Sequence, residues 1–138
     1  MTLALAIVLG AAAVVEDVRR RRLPNWLTAG GVAAGMACAA WGGWRSLGMA
    51  AAGAAVGFLL LLPFHLLGAM GGGDVKLMAA YGAVFGPAGI LIAGVFAAVF
   101  GGLSAAGALL WNRRARAIPY APAIVLGACL SLLGGGVR

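Results

Sequence analysis

Charged side chains are so rare in this sequence that a water-soluble fold is excluded. Of the 138 residues, 64% are hydrophobic and only 9% are charged, whereas an ordinary soluble domain is roughly a quarter charged. A compact chain of about this length leaves roughly a third of its surface exposed, and here that surface would be almost entirely apolar. The same composition excludes a disordered tail and a secreted disulfide scaffold. We therefore predict an all-α polytopic membrane protein.

Six apolar segments are candidates for helices that cross the ~30 Å of hydrocarbon. Their approximate ranges are 2–15, 26–44, 47–67, 74–86, 88–111 and 119–136. The pair Gly86-Pro87 is a strong boundary signal and separates the fourth segment from the fifth. A competing interpretation joins these two in one long, kinked segment. Arginines follow the first segment and no positive charge precedes it, so we expect a retained helix rather than a cleaved export signal. One transmembrane domain over residues 1–138 is predicted.

The basic residues predict the orientation of this bundle of about six transmembrane helices. With six crossings, the connections after the first, third and fifth segments lie on one side of the membrane. Those connections hold eight of the ten Lys and Arg residues: Arg19, Arg20, Arg21, Arg22, Lys76, Arg113, Arg114 and Arg116. Because positive connections stay in the cytoplasm, the N-terminus is predicted to lie outside. The net charge of +7 thus indicates membrane topology, and no nucleic-acid partner is predicted.

The chain has only three acidic residues, and Asp17 and Asp74 both lie at the predicted cytoplasmic face. Ionisable residues in or near membrane spans are energetically costly, which makes them candidates for a functional site. Two carboxyl groups that share a site cannot both ionise easily, so one keeps its proton. Such a pair provides a general base to activate water and a general acid to protonate a departing amide nitrogen. This chemistry needs no metal and no cofactor, and none is predicted.

Each aspartate also has a purely structural interpretation. Asp17 could be an interfacial residue held by the following arginines, and Asp74 could be a helix N-cap, a position that Asp favours. A capping role for Asp74 does not explain the run Gly71-Gly72-Gly73 before it. Such a segment lets an extended peptide lie against the main chain. Two further hypotheses stay open: a small proton- or cation-coupled transporter that uses Asp17 and Asp74, and a catalytically silent assembly subunit.

Three motifs resemble those of type IV prepilin peptidases, which are membrane aspartyl proteases. Residues 17–25, Asp-Val-Arg-Arg-Arg-Arg-Leu-Pro-Asn, resemble the first catalytic motif, and residues 71–77, Gly-Gly-Gly-Asp-Val-Lys-Leu, resemble the Gly-x-Gly-Asp-x-Lys-Leu motif. Residues 118–122, Ile-Pro-Tyr-Ala-Pro, resemble the segment that opens the last helix of the family. The motifs occur in the family's order, and the resemblance covers essentially the whole chain.

This resemblance implies that Asp17 and Asp74 are the catalytic pair of a prepilin leader peptidase. Gly71 and Gly73 would shape the substrate groove. Lys76 would tune Asp74 electrostatically, or it would simply reach for the membrane surface. Pro24 and Asn25 would set the turn into the second helix.

The resemblance also implies a substrate and a location. The substrate would be a prepilin or pseudopilin with a basic leader and an apolar helix, cleaved at the cytoplasmic face of a bacterial inner membrane. Membrane lipid and the pilus assembly machinery would be the other partners. Many larger family members also N-methylate the product and carry an insert with paired Cys-x-x-Cys motifs, which this chain lacks. It looks most like the small stand-alone peptidases of tight-adherence (Flp) pilus systems. His65, near the glycine run, is either close to the active site or an interhelical hydrogen-bonding residue.

Overall fold

The computed structural model describes residues 2–20, 24–68, 70–111 and 124–126. Within these ranges the chain is helical apart from short connections, and none of the described residues is in a strand, which confirms the all-α fold class. The four helices are α1 Thr2–Arg20, α2 Asn25–Ala40, α3 Trp44–Leu66 and α4 Gly72–Trp111. The sixth predicted segment lies outside the described residues except at 124–126, which are helical.

α4 consists of two helical limbs that meet at Gly86. There the backbone adopts φ 73° and ψ −179°, a conformation that glycine tolerates and other residues rarely adopt. Pro87 follows, at the start of the second limb, where its missing N–H costs nothing. A Cβ on Gly94 would lie 3.2 Å from Cε of Met78, although these residues would be about 24 Å apart along a straight helix. The limb 87–111 therefore runs back alongside the limb 72–85, and the chain reverses at the predicted boundary.

α3 lies in backbone contact with the first limb of α4. A Cβ on Gly53 would overlap the carbonyl oxygen of Gly82, and a Cβ on Gly82 would overlap that of Gly53. Farther along, a Cβ on Gly57 would overlap the carbonyl oxygen of Met78. From the first contact to the second, the residue number rises along α3 and falls along α4, so the two helices are antiparallel. Small residues permit this close approach, which supplies the van der Waals contact that holds helices together in lipid.

α2 runs parallel to the first limb of α4. A Cβ on Gly31 would lie 3.0 Å from the Cβ of Ala80, and a Cβ on Gly35 would lie 2.9 Å from the Cβ of Ala83. The first limb thus lies between its neighbours, and nine of its side chains are buried: Val75, Leu77, Met78, Ala79, Ala80, Tyr81, Ala83, Val84 and Phe85.

α1 ends at the end of the bundle where α2 begins, because only residues 21–24 separate the two helices. Ala6, Leu9 and Ala13 of α1 are buried in the common core, together with Ile124 from the last described segment.

The outer surface of the bundle is apolar. Trp44–Leu66 is long and apolar enough to cross a membrane, and Gly72–Leu103 is apolar over 32 residues that are divided between the two limbs of α4. Large hydrophobic side chains point outward along them: Leu59, Leu66, Leu67, Leu91, Val95, Val99 and Leu103. This fits a chain surrounded by lipid. Six crossings and an N-terminus outside the cell stay predictions.

Several helix boundaries differ from those predicted. α1 continues beyond residue 15 to Arg20, and α3 begins at Trp44 rather than at residue 47. The second segment was expected to reach Trp44, but α2 ends at Ala40 and α3 already begins at Trp44. Gly43 lies between them with φ 86°, so this connection is a tight turn inside a run that is apolar throughout. The fourth segment begins at Gly72 rather than at Asp74, because two glycines of the run continue into the helix.

Candidate active site

One end of the bundle collects the residues that the sequence singled out. The C-terminal ends of α1 and α3 meet the N-terminal ends of α2 and α4 there, as the short connections and the helix directions require. α1 brings Asp17, the start of α2 brings Asn25, and the start of α4 brings Asp74 and Lys76. A site at this end is therefore built from residues that are distant in sequence.

Asp17 lies in the last turn of α1 and is partly buried. Its Oδ2 is buried and has no hydrogen-bond partner among the described residues. Burial raises the pKa of the Asp17 carboxyl above its ordinary value, because an ion is poorly solvated away from water. A buried carboxylate oxygen without a donor is costly, and such costs are commonest where a group is needed for chemistry.

Asp74 lies inside the first turn of α4 rather than at its cap, since the helix begins two residues earlier. Its backbone N–H donates to the carbonyl oxygen of Gly71 at 3.2 Å. The charge of Asp17 acts directly on the carboxyl group of Asp74. The structure therefore brings together two carboxyl groups from residues 17 and 74, and mutual repulsion makes it costly for both to ionise.

The glycine run, residues 71–73, lies between His65 and Asp74 in the chain and near both of their side chains. A Cβ on Gly71 would lie 3.6 Å from Oδ2 of Asp74, which is an ordinary contact, whereas a Cβ on Gly72 would lie 3.2 Å from Cε1 of His65. His65 is exposed in the last turn of α3, and its Nδ1 donates to the carbonyl oxygen of Met70 at 3.1 Å. It is therefore an exposed neighbour of the glycine run and bonds to the connection between α3 and α4. Gly73 is partly buried in the first turn of α4.

Pro24 and Asn25 start α2. The carbonyl oxygen of Pro24 accepts hydrogen bonds from the backbone N–H groups of Leu27 at 3.1 Å and Thr28 at 3.4 Å. Lys76 Nζ donates to Oδ1 of Asn25 at 2.7 Å and so joins the start of α2 to the start of α4. Residues two positions apart on a helix point in nearly opposite directions. Asp74 thus faces α1 while Lys76 faces α2, and electrostatic tuning of Asp74 by Lys76 stays a prediction.

A cavity of about 250 Å³ lies beside the bond between Lys76 and Asn25. It opens between α2, α3 and α4 and is lined by Asn25, Thr28, Ala29, Val32, Phe58, Lys76 and Ala79. Its walls are mostly apolar, with the charged and amide groups at one end, so it suits an amphipathic segment of a peptide.

Two residues where α1 meets α4, farther along the bundle, were missed from the sequence. The Tyr81 side chain is buried, and its hydroxyl donates to the carbonyl oxygen of Ala6 at 3.3 Å. Gly10 was not singled out, yet a Cβ there would lie 2.6 Å from the Tyr81 hydroxyl oxygen. The only available signal was spacing: Gly10 precedes Asp17 by seven positions, and Tyr81 follows Asp74 by seven.

The third motif, residues 118–122, lies outside the described residues, as do the arginines at 21, 22, 113, 114 and 116. In the part of the chain that the structure describes, no group of three or more His, Cys, Asp and Glu side chains is arranged to hold a metal ion.

Comparison with known proteins gives one family and one curated relative. A sequence model of the type IV leader peptidase family matches residues 3–106. A prepilin leader peptidase/N-methyltransferase of Bacillus subtilis (strain 168) is 41% identical over 87 residues, which cover 60% of this chain. The same match covers 35% of that protein, so the chain corresponds to about a third of its relative. No solved structure matches the chain.

Proposed function

The chain belongs to the type IV leader peptidase family, and we propose that it is a membrane aspartic endopeptidase that removes the leader from prepilins or pseudopilins. One observation carries the proposal: the charge of Asp17 acts on the carboxyl group of Asp74 at the end of the bundle where the motif residues meet. The relative from Bacillus subtilis is named a prepilin leader peptidase/N-methyltransferase. Of these two activities, we propose the peptidase activity for this chain.

The proposed reaction follows from the proton that the pair shares. The ionised member of the pair takes a proton from a water molecule, whose oxygen attacks the carbonyl carbon of the scissile peptide bond. The protonated member first donates a hydrogen bond to the carbonyl oxygen and then protonates the departing amide nitrogen. The C–N bond breaks, leaving a carboxylate on the leader and a free amine on the mature subunit. Proton transfer by positioned groups of this kind typically contributes 10²–10⁴-fold to the rate.

The position of both aspartates favours a peptidase over the transporter that the sequence left open. A proton or cation carrier is expected to hold its carboxyl groups near mid-membrane. Asp17 lies in the last turn of α1 and Asp74 in the first turn of α4, so both are at helix ends. A scissile bond just outside the apolar helix of a prepilin would meet the protein at this level.

We propose an Flp-like precursor with a basic leader as the substrate, and cleavage at the cytoplasmic face of a bacterial inner membrane. The basic residues on the predicted cytoplasmic connections support this orientation. The apolar outer faces of α3 and α4 would let the apolar helix of the substrate approach through the lipid.

We further propose that the product is not methylated. The insert with Cys-x-x-Cys motifs that accompanies methylation in larger family members would lie between the first two helices. Here α1 ends at Arg20 and α2 begins at Asn25, which leaves no room for it. Mass spectrometry of the mature subunit after incubation with S-adenosylmethionine should show an unmodified N-terminal amine, and a mass increase of one methyl group would contradict this.

The direct test is cleavage of a precursor by the purified protein in vesicles. Asp17→Asn and Asp74→Asn should each lower the rate by about 10²-fold or more, because either change removes the shared proton. Glu16→Gln is the matched control, since it neutralises the neighbouring acid on the same helix and should leave cleavage near the unsubstituted level. Full activity of either aspartate variant, with normal insertion into the membrane, would refute the mechanism.

A further inference from the structure

A contact between Gly10 and Tyr81 joins α1 to the first limb of α4. The Tyr81 side chain is 1% exposed, and its ring stacks on Phe85 with 5.5 Å between centroids and an interplanar angle of 28°. Its hydroxyl donates to the carbonyl oxygen of Ala6 and occupies the space that a Cβ on Gly10 would need. The ring is therefore held from one side by α4 and bonded on the other to the backbone of α1.

This contact lies at a defined distance from the two aspartates. Asp17 is seven residues after Gly10, and Asp74 is seven residues before Tyr81. Seven residues are about two helical turns and about 10 Å of rise. Because the two helices are antiparallel, equal spacing from the contact brings both carboxyl groups to the same level. A residue seven positions on also returns to nearly the same face of a helix, so both side chains point toward the helix pair.

The aspartates themselves do not supply the attraction that would hold α1 in place. Their carboxyl groups repel each other when both are ionised, and Oδ2 of Asp17 accepts no hydrogen bond from any described residue. Much of α1 is also turned away from the bundle, with Leu3, Ile7, Val8 and Val15 each at least half exposed. The spacing of the pair must therefore be fixed at another level of the helix.

We propose that the contact of Gly10 with the Tyr81 hydroxyl is a positioning contact that fixes α1 against α4 and so sets the separation of Asp17 and Asp74. This inference rests on the proposed function for its consequence in catalysis, but the separation itself can be measured without any activity. Tyr81 is a positioning residue, since it touches the backbone of α1 and not the reacting groups.

The test uses Gly10→Ala, Tyr81→Phe and the double variant. In Gly10→Ala the new methyl group collides with the Tyr81 hydroxyl, and it also meets Cγ1 of Val125 at 2.9 Å. We expect kcat to fall about tenfold or more, because a displacement of about 1 Å can cost 10²-fold in rate. Tyr81→Phe alone removes the bond to Ala6 and should itself lower kcat. Because it also removes the hydroxyl with which the methyl group collides, kcat of the double variant should rise from that of Gly10→Ala to that of Tyr81→Phe. Gly30→Ala is the control: its Cβ would meet nothing within 4 Å, and kcat should not change.

A distance measurement separates this inference from the proposed function. In a Cys38→Ser/Cys129→Ser background, the pair Asp17→Cys and Asp74→Cys should form an oxidative cross-link. Gly10→Ala should suppress the cross-link, and the addition of Tyr81→Phe should restore it to the level of Tyr81→Phe alone. A cross-link unaffected by Gly10→Ala, or one that Tyr81→Phe fails to restore, would overturn the inference and assign the constraint to Val125 or elsewhere. Cross-links that respond as expected in a protein that cleaves no precursor would overturn only the proposed function.

Discussion

Asp17 combines two properties that ordinary surface aspartates lack. Its Oδ2 is buried without a hydrogen-bond partner in the described part of the chain, and its carboxyl group acts on that of Asp74. Burial disfavours the ionised form of Asp17, and no donor among the described residues bonds to its Oδ2. A protein that needed only a helix end here would gain stability from almost any neutral residue, so the unfavourable environment points to a chemical role.

The raised pKa of Asp17 predicts how cleavage depends on pH. Below that pKa the pair carries two protons and has no base to activate water, so activity should rise with pH as one proton leaves. Because burial raises the pKa, the midpoint of this rise should lie above the ~3.9 of a free aspartate. At higher pH the second proton leaves, the general acid is lost, and activity should fall. The measurement is kcat against pH in vesicles of neutral lipid; an acidic midpoint at or below that of free aspartate would contradict the prediction.

The bond from Lys76 to Asn25 predicts a measurable coupling between α2 and α4. Lys76→Ala and Asn25→Ala should each lower the midpoint of thermal unfolding slightly. Their effects should fall short of additivity by about 0.5–1 kcal/mol, the usual size for an exposed bond to a charged group. Arg45→Ala combined with Asn25→Ala is the control: Arg45 lies near the start of α3, at the other end of the bundle, and distant pairs are additive. Additivity of the Lys76 and Asn25 changes would mean that the bond contributes nothing.

At the scale of helices, the sequence predicted features that depend on neighbouring residues. It missed the contacts between residues that are far apart in the chain. Apolar runs and the pair Gly86-Pro87 identified the described helices and the reversal inside α4, because these signals act within a few residues. The turn at Gly43 was misplaced since the residues on both sides of it are equally apolar. The pairing of Gly53 with Gly82, and of Gly10 with Tyr81, could not be predicted. Glycines occur throughout the chain, and only the packed bundle decides which of them face another backbone.

The contact between Gly53 and Gly82 predicts opposite effects for two glycine substitutions on α3. A Cβ at Gly53 would overlap the backbone of α4 at Gly82 and lie 2.7 Å from Cα of Gly86. Neither neighbour can move without displacing its helix. Gly53→Ala should therefore destabilise the protein by about 1–3 kcal/mol, as overpacking does. At Gly48 a Cβ would meet nothing within 4 Å, so Gly48→Ala should be neutral or stabilising by up to about 1 kcal/mol.

Both stabilities can be read from reversible unfolding of the purified protein in detergent, with cleavage activity as an independent measure of the fold. Equal stabilisation by the two substitutions would show that helix propensity, rather than the close approach of α3 and α4, dominates. A larger loss at Gly48 than at Gly53 would contradict the packing described here.

For the whole molecule, topology rather than local chemistry creates the candidate site. Helix ends that are far apart in sequence meet at one end of the bundle because each connection reverses the chain. The sequence predicted this convergence from an even alternation of segments and from the bias of basic residues. It did not predict that Asp74 and Lys76 would face different helices, because that depends on how α4 is rotated within the bundle. The first limb of α4 is therefore shared between the aspartate pair on one side and the cavity beside Asn25 on the other.

Two tryptophans at opposite ends of α2 allow the orientation of the whole bundle to be tested. Trp26 lies at the end that holds the aspartates and is 69% exposed, and Trp41 lies just past the other end and is 81% exposed. In the Cys38→Ser/Cys129→Ser background, Trp41→Cys should react with a membrane-impermeant maleimide in intact spheroplasts. Trp26→Cys should react only after permeabilisation, because the excess of basic residues predicts that this end lies in the cytoplasm. Labelling in the reverse order would place the aspartates outside, where a precursor still carrying its basic leader in the cytoplasm could not reach them.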